Sequence, residues 1–280
     1  LGTPQNWLVL STYKHLRREL LAVAQWMLMA RLGARAFETI TGEIVNVVLL
    51  GLTRSRPHRA NHFAGYDASV QRTPADKATA LLADPAILVE QYGQRSNPDH
   101  RITLQAGIEG PLLLDVADSY QGICTGDFLR FGRCSWELAE VSGDWMFQQT
   151  SSSGDSPIGG LHYVLLWQNG QGAFHEFLNA RLGPHKHGAW VRGLEAWGHL
   201  GVCINQTQSL GASLYTGEAF DNNAAVIVAK NPEDLDAVWA FCSSQEYAAS
   251  VRKIDQKLNV TNITLLKVPF DLARWRGIAA

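Results

Sequence analysis

The chain has 280 residues, with 24 Lys and Arg against 26 Asp and Glu, 46% apolar and 18% charged residues. That length buries one large core or two modest ones, and the composition is that of an ordinary globular protein, which excludes a disordered, fibrous or collagen-like chain. The longest apolar stretch, Ile44 to Leu52, is interrupted by Asn46 and is too short to span a bilayer, so no membrane partner is expected.

The chain opens on Leu1, without a start methionine, and Thr3 to Leu10 already reads as a turn entering a buried strand. Ser11 or Thr12 then caps a helix, because a side-chain hydroxyl satisfies an otherwise orphan amide of the first turn. Leu16, Leu20, Val23 and Met27 recur at helical spacing up to Gly33, while Lys14, Arg17, Arg18 and Arg31 form an opposite, solvent-facing basic stripe. Ile44 to Leu52 is a continuous apolar run, as expected of a strand covered on both faces. Strand, helix and strand in this order make one unit of a doubly wound α/β sheet.

Residues 54–66 are basic and turn-rich and read as a connection, followed by a short helix from Thr73-Pro74 to Leu82 that Pro85 ends. From Asn97 onward glycines and tryptophans alternate with short β runs, which places a domain boundary between residues 57 and 97. Strands are expected at Leu112–Ala117, Trp136–Val141, Tyr163–Trp167, Gly201–Ile204, Ser213–Tyr215, Ala225–Val228 and Thr264–Val268. Helical faces formed by Leu235, Val238, Trp239 and Cys242, and then by Tyr247, Val251, Ile254 and Leu258, complete an α+β module.

Charge is uneven along the chain. Residues 1–66 hold eight Lys and Arg against three acids, residues 97–180 hold three against ten, and residues 181–280 hold ten against nine. A nucleic-acid partner needs local positive surface, which suits the first segment and not the middle one, whose acids are expected to lie away from any DNA face. Cys124, Cys134, Cys203 and Cys242 are scattered without a Cys-x-x-Cys pair, as expected of reduced thiols in a cytoplasmic protein.

The motifs that usually announce an enzyme are missing. No Asp/Asn/Ser-Pro-Pro-aromatic tetrapeptide, Walker loop, Gly-x-Ser-x-Gly or His-Glu-x-x-His occurs. Gly170-Gln171-Gly172 reads as a hairpin turn, and His185-Lys186-His187 as a solvated loop; no catalytic, metal or cofactor residue is assigned. Glu137 and Glu140, or Asp115 and Asp118, have nothing around them to make an acid–base pair.

Three segments carry more. In Tyr120-Gln121-Gly122-Ile123-Cys124-Thr125-Gly126-Asp127, two glycines four apart bracket Thr125 at a loop tip that either approaches a phosphate or base edge or is a plain turn. Arg130 and Arg133 follow, and arginine suits phosphate and guanine. Gly188 to Gly193 and Trp197 to Val202 mix glycine, tryptophan and basic residues, read either as nucleotide-stacking groups or as tryptophans closing a small β core. Glu218 to Asn223 is a polar turn in which Asp221 acts as a cap rather than a catalyst.

Together these segments resemble a known family. Pro4-Gln5-Asn6-Trp7 through the basic helix to Phe37-Glu38-Thr39-Ile40-Thr41-Gly42-Glu43-Ile44-Val45-Asn46 is similar to the region after the catalytic motif of adenine-specific DNA methyltransferases of the phage-exclusion and fused restriction-modification type. Gln121 to Asp127 with Arg130-Phe131 and Trp136-Glu137, then Trp190, Trp197-Gly198, Leu214 to Glu218, Phe220 to Asn223 and Val268 to Leu272, look like their target recognition domain.

The resemblance implies a C-terminal piece of a DNA adenine N6-methyltransferase. Residues 1–57 would close the catalytic α/β domain, 58–96 would connect, and 97–280 would be an α+β target recognition domain with many short strands and C-terminal helices. It implies double-stranded DNA and the missing N-terminal methyltransferase part as partners. S-adenosylmethionine would be bound by the full-length parent and not by this chain, which is expected to be inactive alone. In the family the target adenine is flipped out of the duplex, the general solution for chemistry on a stacked base. DNA contacts are expected from Gln121, Thr125, Arg130, Arg133, Lys186 and Arg192, helped by Lys14, Arg17 and Arg18. Two rivals are a stand-alone specificity module that docks on a separate methyltransferase, and an unrelated glycoside- or ester-processing enzyme using a carboxylate pair.

Overall fold

The computed structural model describes residues 1–37, 45–104, 110–152, 154–207, 209–255 and 258–280. The expectations for Glu38 to Ile44 and for Lys257 fall outside them. The chain divides into two compact units, Leu1–Glu109 and Gly110–Ala280.

The first unit runs β1 (Gly2–Pro4), α1 (Lys14–Val23), β2 (Gln25–Gly33), β3 (Val47–Thr53), β4 (His62–Asp67), α2 (Pro74–Ala83) and β5 (Ile87–Glu90). Its five strands lie in the order β1-β3-β2-β4-β5, with β2 and β4 parallel and the other neighbours antiparallel. Alternate residues of β3 serve opposite faces. Val48 and Leu50 pack with Leu8, Leu21 of α1, Trp26, Met29 and Phe63, while Val47 packs with Leu32, Ala68 and Ala80 of α2. The apolar run is therefore covered on both sides, as its sequence requires.

Three expectations are corrected in this unit. The turn entering a buried strand over Thr3–Leu10 is found in the reverse order, with β1 ending at Pro4 and a 3-10 turn following over Gln5–Leu8. The helix expected to reach Gly33 ends at Val23, and Met27 and Leu28 stand in β2. Gln91 explains the stop: its Nε2 donates to the Leu21 and Ala24 carbonyls at 3.1 and 2.8 Å, and its Oε1 accepts from the Trp26 amide at 3.0 Å. A side chain from a distant segment thus satisfies both the helix end and the strand start, which no local pattern announces. Residues 58–96 are more than a connection, since they supply β4 and β5 to the sheet and α2, whose Ala80 packs on one of its faces. The helix at Thr73-Pro74 forms as expected, with the Thr73 hydroxyl accepting the Asp76 amide at 3.1 Å.

The basic stripe of α1 is corrected as well, because Arg17 is wholly buried. Its guanidinium donates to the carbonyls of Trp7 and Leu10 at 2.5 and 2.7 Å, of Asp99 at 2.8 and 3.2 Å, and of His100 at 3.1 Å. Burial, then the neighbouring Arg101, lowers it to about 10, still charged at neutral pH. Arg17 joins α1, the turn before it and the 97–101 turn, and takes no part in a surface.

The second unit runs α3 (Leu113–Val116), β6 (Ala117–Gln121), α4 (Phe128–Phe131), β7 (Gly132–Cys134), β8 (Trp145–Gln149), β9 (Tyr163–Leu166), α5 (Gly172–Leu182), β10 (Gly201–Asn205), β11 (Ala212–Tyr215), β12 (Ala219–Phe220), β13 (Ala224–Ala229), α6 (Leu235–Cys242), α7 (Gln245–Ile254), α8 (Asn262–Leu266) and α9 (Leu272–Ala279). One sheet is antiparallel, β11-β10-β13-β6; the other is β12-β8-β9-β7, with β12 parallel to β8. Many short strands followed by helices give the expected α+β unit. Phe241 of α6 gathers Tyr247, Phe270 and Trp275 around it at ring distances of 5.1 to 5.2 Å, which fixes the C-terminal helices.

Strands were expected at Leu112–Ala117 and Thr264–Val268, where α3 and α8 stand, and at Trp136–Val141, where a 3-10 turn follows Cys134. Asp115 and Glu137 decide the first and last of these, accepting the Leu112 and Cys134 amides at 2.7 and 2.9 Å and so closing helical turns. The Gly170-Gln171-Gly172 hairpin is also absent; that segment leads from β9 into α5, a helix the sequence reading misses.

Arg17→Leu should cost the first unit about 3 kcal/mol, since the carbonyls of Trp7, Leu10, Asp99 and His100 lose their donor. Urea unfolding followed by circular dichroism checks this, and a loss under about 1 kcal/mol would show that water replaces the guanidinium.

Candidate nucleic-acid interface

The three segments singled out in the sequence meet in the second unit. Leaving β6, the chain crosses β12 at Gly122, where any Cβ would collide with the Phe220 and Asp221 carbonyls. The Ile123 amide donates to the Phe220 carbonyl at 2.8 Å, and Cys124 donates to the Trp190 carbonyl at 2.9 Å. Gly126, at φ +66°, carries the turn beneath the Trp190 ring. Arg192 Nη1 donates to Gln121 Oε1 at 2.8 Å, and Gln121 Nε2 reaches the Asn222 carbonyl at 3.4 Å.

Each expected contact residue can now be placed. Gln121, Thr125 and Arg192 come together at this crossing, with Thr125 nearly buried. Arg192 Nε is buried and has no hydrogen-bond partner among the described residues. Arg130 is exposed at the end of α4, its guanidinium over the rings of Phe131 and Phe177 at 4.9 and 5.6 Å. Arg133 is used internally: Nη1 donates to the Leu129 and Gly132 carbonyls at 2.7 and 2.6 Å, and the group lies over Trp145. Lys186 is exposed in the turn after α5.

Beneath Thr125 lies a polar pocket of about 230 Å³, lined by Ile123, Thr125, Phe128, Gln148, Thr150, Tyr163, Asp221, Asn222 and Asn223. Asp221 caps its own turn, as expected, by accepting the Asn223 amide at 2.8 Å; it also accepts the Thr150 hydroxyl at 2.5 Å. Burial raises its carboxyl above the ordinary range, against these bonds, which favour the charged form. Gln148 is 1% exposed, and its Nε2 has no acceptor among the described residues. Phe128 and Tyr163 stand edge to face at 5.0 Å. Gln148, Thr150, Phe128 and Tyr163 were not foreseen. The only signal was Gln148-Gln149, two carboxamides in succession on a strand covered on both faces.

A larger cleft of about 400 Å³ lies between α5 and the 187–194 segment, lined mainly by Trp167, Phe174, Leu178 and Val191, with His175 and His187. Burial and the adjacent His175 and His185 lower the His187 basicity, and its Nε2 faces Asn179 Oδ1 at 2.8 Å. Among the described residues no cluster of three or more His, Cys, Asp or Glu is placed to hold a metal. The α5 N-terminus offers no anion site either, since Gln168 Oε1 already accepts the Ala173 amide at 2.9 Å.

Much of the acidity of residues 97–180 is spent on backbone amides. Asp115, Asp127, Glu137 and Asp155 accept the amides of Leu112, Arg130, Cys134 and Ala212.

No protein-family model matches the chain, and no curated protein is significantly similar to it. Among solved structures, the chain is similar to the type IIL restriction-modification enzyme MmeI in complex with DNA, with a TM-score of 0.52 at 10% identity over 93% of this chain and 37% of MmeI. It also matches a nuclease-deletion mutant of the type ISP restriction-modification enzyme LlaGI in complex with a DNA substrate mimic (TM-score 0.48, 10% identity, 99% of this chain and 34% of that one). A third match is the type IIG restriction endonuclease BpuSI (TM-score 0.35, 11% identity, 99% and 41%). The likeness to MmeI speaks for a shared fold, and the other two carry no argument. The chain spans between 34% and 41% of these proteins. No helix among the described residues is long and apolar enough to cross a membrane.

Asp221→Asn keeps an acceptor for the Asn223 amide and removes a charge that burial disfavours. With the folded carboxyl raised, its contribution to stability is whole below the unfolded value near 4 and is lost as pH rises through the folded value. The variant should therefore melt higher than the parent at pH 7, with the gap closing below about pH 4. Melting curves across pH check this, and a gap that widens on acidification would reverse the assignment.

Proposed function

We propose that the second unit is the target recognition domain of a site-specific DNA adenine N6-methyltransferase of the restriction-modification type, and that the first unit closes its catalytic fold. The observation that carries this reading is the convergence of residues 120–131, 188–193 and 218–223 on one crossing, in a chain that shares its fold with MmeI. Duplex DNA is the partner. S-adenosylmethionine and the flipped adenine would be held by residues outside this chain, whose own Gly-x-Gly loop is filled by Gln168. The missing N-terminal methyltransferase part is the second partner, and the chain is inactive without it.

The roles of the cations follow from their hydrogen bonds. Arg130 and Lys186 are exposed and suit phosphate, which attracts cations without reading sequence. Arg192, held by Gln121, presents a fixed guanidinium suited to a base edge. Arg133 already donates to two carbonyls and supports α4 instead.

Arg130→Ala and Lys186→Ala should each weaken duplex binding several-fold and lower the slope of log affinity against log salt by about 1. Arg133→Ala should leave that slope as it is. Fluorescence anisotropy on a labelled duplex between 50 and 200 mM salt, roughly the range over which phosphate contacts are resolved, measures all three. Equal slopes for every variant would remove these residues from the DNA face.

A further inference from the structure

From the setting of Leu129 we infer that this unit reads a thymine of the paired duplex, through the methyl group that the base turns into the major groove. The inference rests on the DNA reading above and adds to that face a residue that neither charge nor motif marks.

Leu129 is 86% exposed, and a solitary exposed leucine is ordinary on any protein surface. Its setting is not. Helix α4 is a single turn in which Phe128 and Phe131, three apart and so on one side, are the anchors. Phe131 is buried against Phe174 and Phe177 at ring distances of 5.1 Å, and Phe128 stands edge to face on Tyr163 at 5.0 Å. Leu129 and Arg130 are left on the outer side, both exposed. The main chain beneath them is held as firmly. Asp127 Oδ1 accepts the Arg130 amide at 3.3 Å, and Arg133 Nη1 donates to the Leu129 carbonyl at 2.7 Å. A guanidinium suited to DNA is thus spent on fixing an apolar side chain that stands in solvent.

What Leu129 can read follows from chemistry. It has no donor or acceptor, and the edges of the base pairs present polar atoms in both grooves with one exception, the thymine methyl in the major groove. Guanine, cytosine and adenine offer it nothing apolar. Packing on that methyl removes it from water, which is worth about fourfold in affinity. The neighbouring Arg130 is the cation assigned above to phosphate. Phosphate contacts set register and base contacts set sequence, so two adjacent residues of one rigid turn divide that work.

The test is selection from a random duplex library on the full chain, with sequencing of the bound duplexes, for the parent, Leu129→Ser and Leu129→Met. The parent should select a site with thymine at one position. Leu129→Ser should lose about fourfold of the preference there and none elsewhere, and Leu129→Met, which keeps an apolar tip, should retain it. On the selected duplex, uracil in place of that thymine removes the methyl alone. The parent should bind the uracil duplex about fourfold more weakly, and Leu129→Ser should bind both duplexes alike. The slope of log affinity against log salt should be the same for the parent and Leu129→Ser, because no charge is altered. A thymine preference that survives Leu129→Ser, or uracil serving as well as thymine at every position, overturns the role of Leu129. So does a loss spread evenly over the site, and in each case the selected site itself upholds the recognition reading. Failure of the parent to select any duplex overturns both.

Discussion

The second unit depends on one close approach, the crossing of the Gly122 backbone over the Phe220 and Asp221 carbonyls. Because nothing larger than hydrogen fits there, β6 of the antiparallel sheet can hand its chain directly to the side of β12, a strand of the other sheet. The amides of Ile123 and Cys124 then find acceptors in two different segments, so the loop that follows is fixed from both sides. Thr125, Asp221 and Arg192 are brought together as a consequence. A tight main-chain contact is a stiffer way to position side chains than long side chains reaching for one another, because the ordering cost is met once, in folding.

The first unit uses buried cations in a similar way. Arg17 serves carbonyls of four residues, and Lys77 donates to the carbonyls of Leu32, Ala68 and Gln71. Arg31, also buried, faces Asp67 at 3.6 Å. Short 3-10 turns and chain reversals leave carbonyls without internal partners, and a multi-donor cation satisfies several at once. The positive balance of residues 1–66 is therefore in part an interior property. The negative balance of residues 97–180 has a matching origin, since carboxylates there cap amides of irregular turns. Net charge per segment, summed without regard to burial, overstates what a partner would meet at the surface.

That difference marks where the sequence was legible. β3, β9, β10, β11 and β13 are readable as short apolar runs between turn residues, α2 from the Thr73-Pro74 start, and α6 and α7 from apolar residues at helical spacing. The helix expected through Met27 failed because Gln91, far along the chain, ends it. The strands expected at 112–117 and 136–141 failed because one carboxylate closes a turn within the first residues. Helix α5 is hidden behind its glycines, which have the pattern of a hairpin turn although Phe174 and Leu178 stand four apart on its buried side. Of the site, Thr125, Arg192 and the Asp221 turn were visible as unusual local strings. Tyr163 is not, because a tyrosine inside a strand has no local signature, and Gln148 is marked only by the Gln149 beside it.

The arginines show why residue type alone does not assign the proposed DNA face. Arg17, Arg130, Arg133 and Arg192 are chemically identical, and all four lie near turns and aromatic residues in the sequence. Their hydrogen bonds separate them: Arg17 is consumed by carbonyls of the core, Arg133 by those of α4, Arg192 is aimed by Gln121, and Arg130 lies exposed over two rings. A guanidinium whose donors are satisfied inside the protein gains little from a phosphate, because each new bond must replace an existing one. One still exposed exchanges water for phosphate and keeps the gain. Under the proposed function, recognition is a question of which donors the fold leaves over: Arg130 exposed after the Thr125 turn and Arg192 held by Gln121.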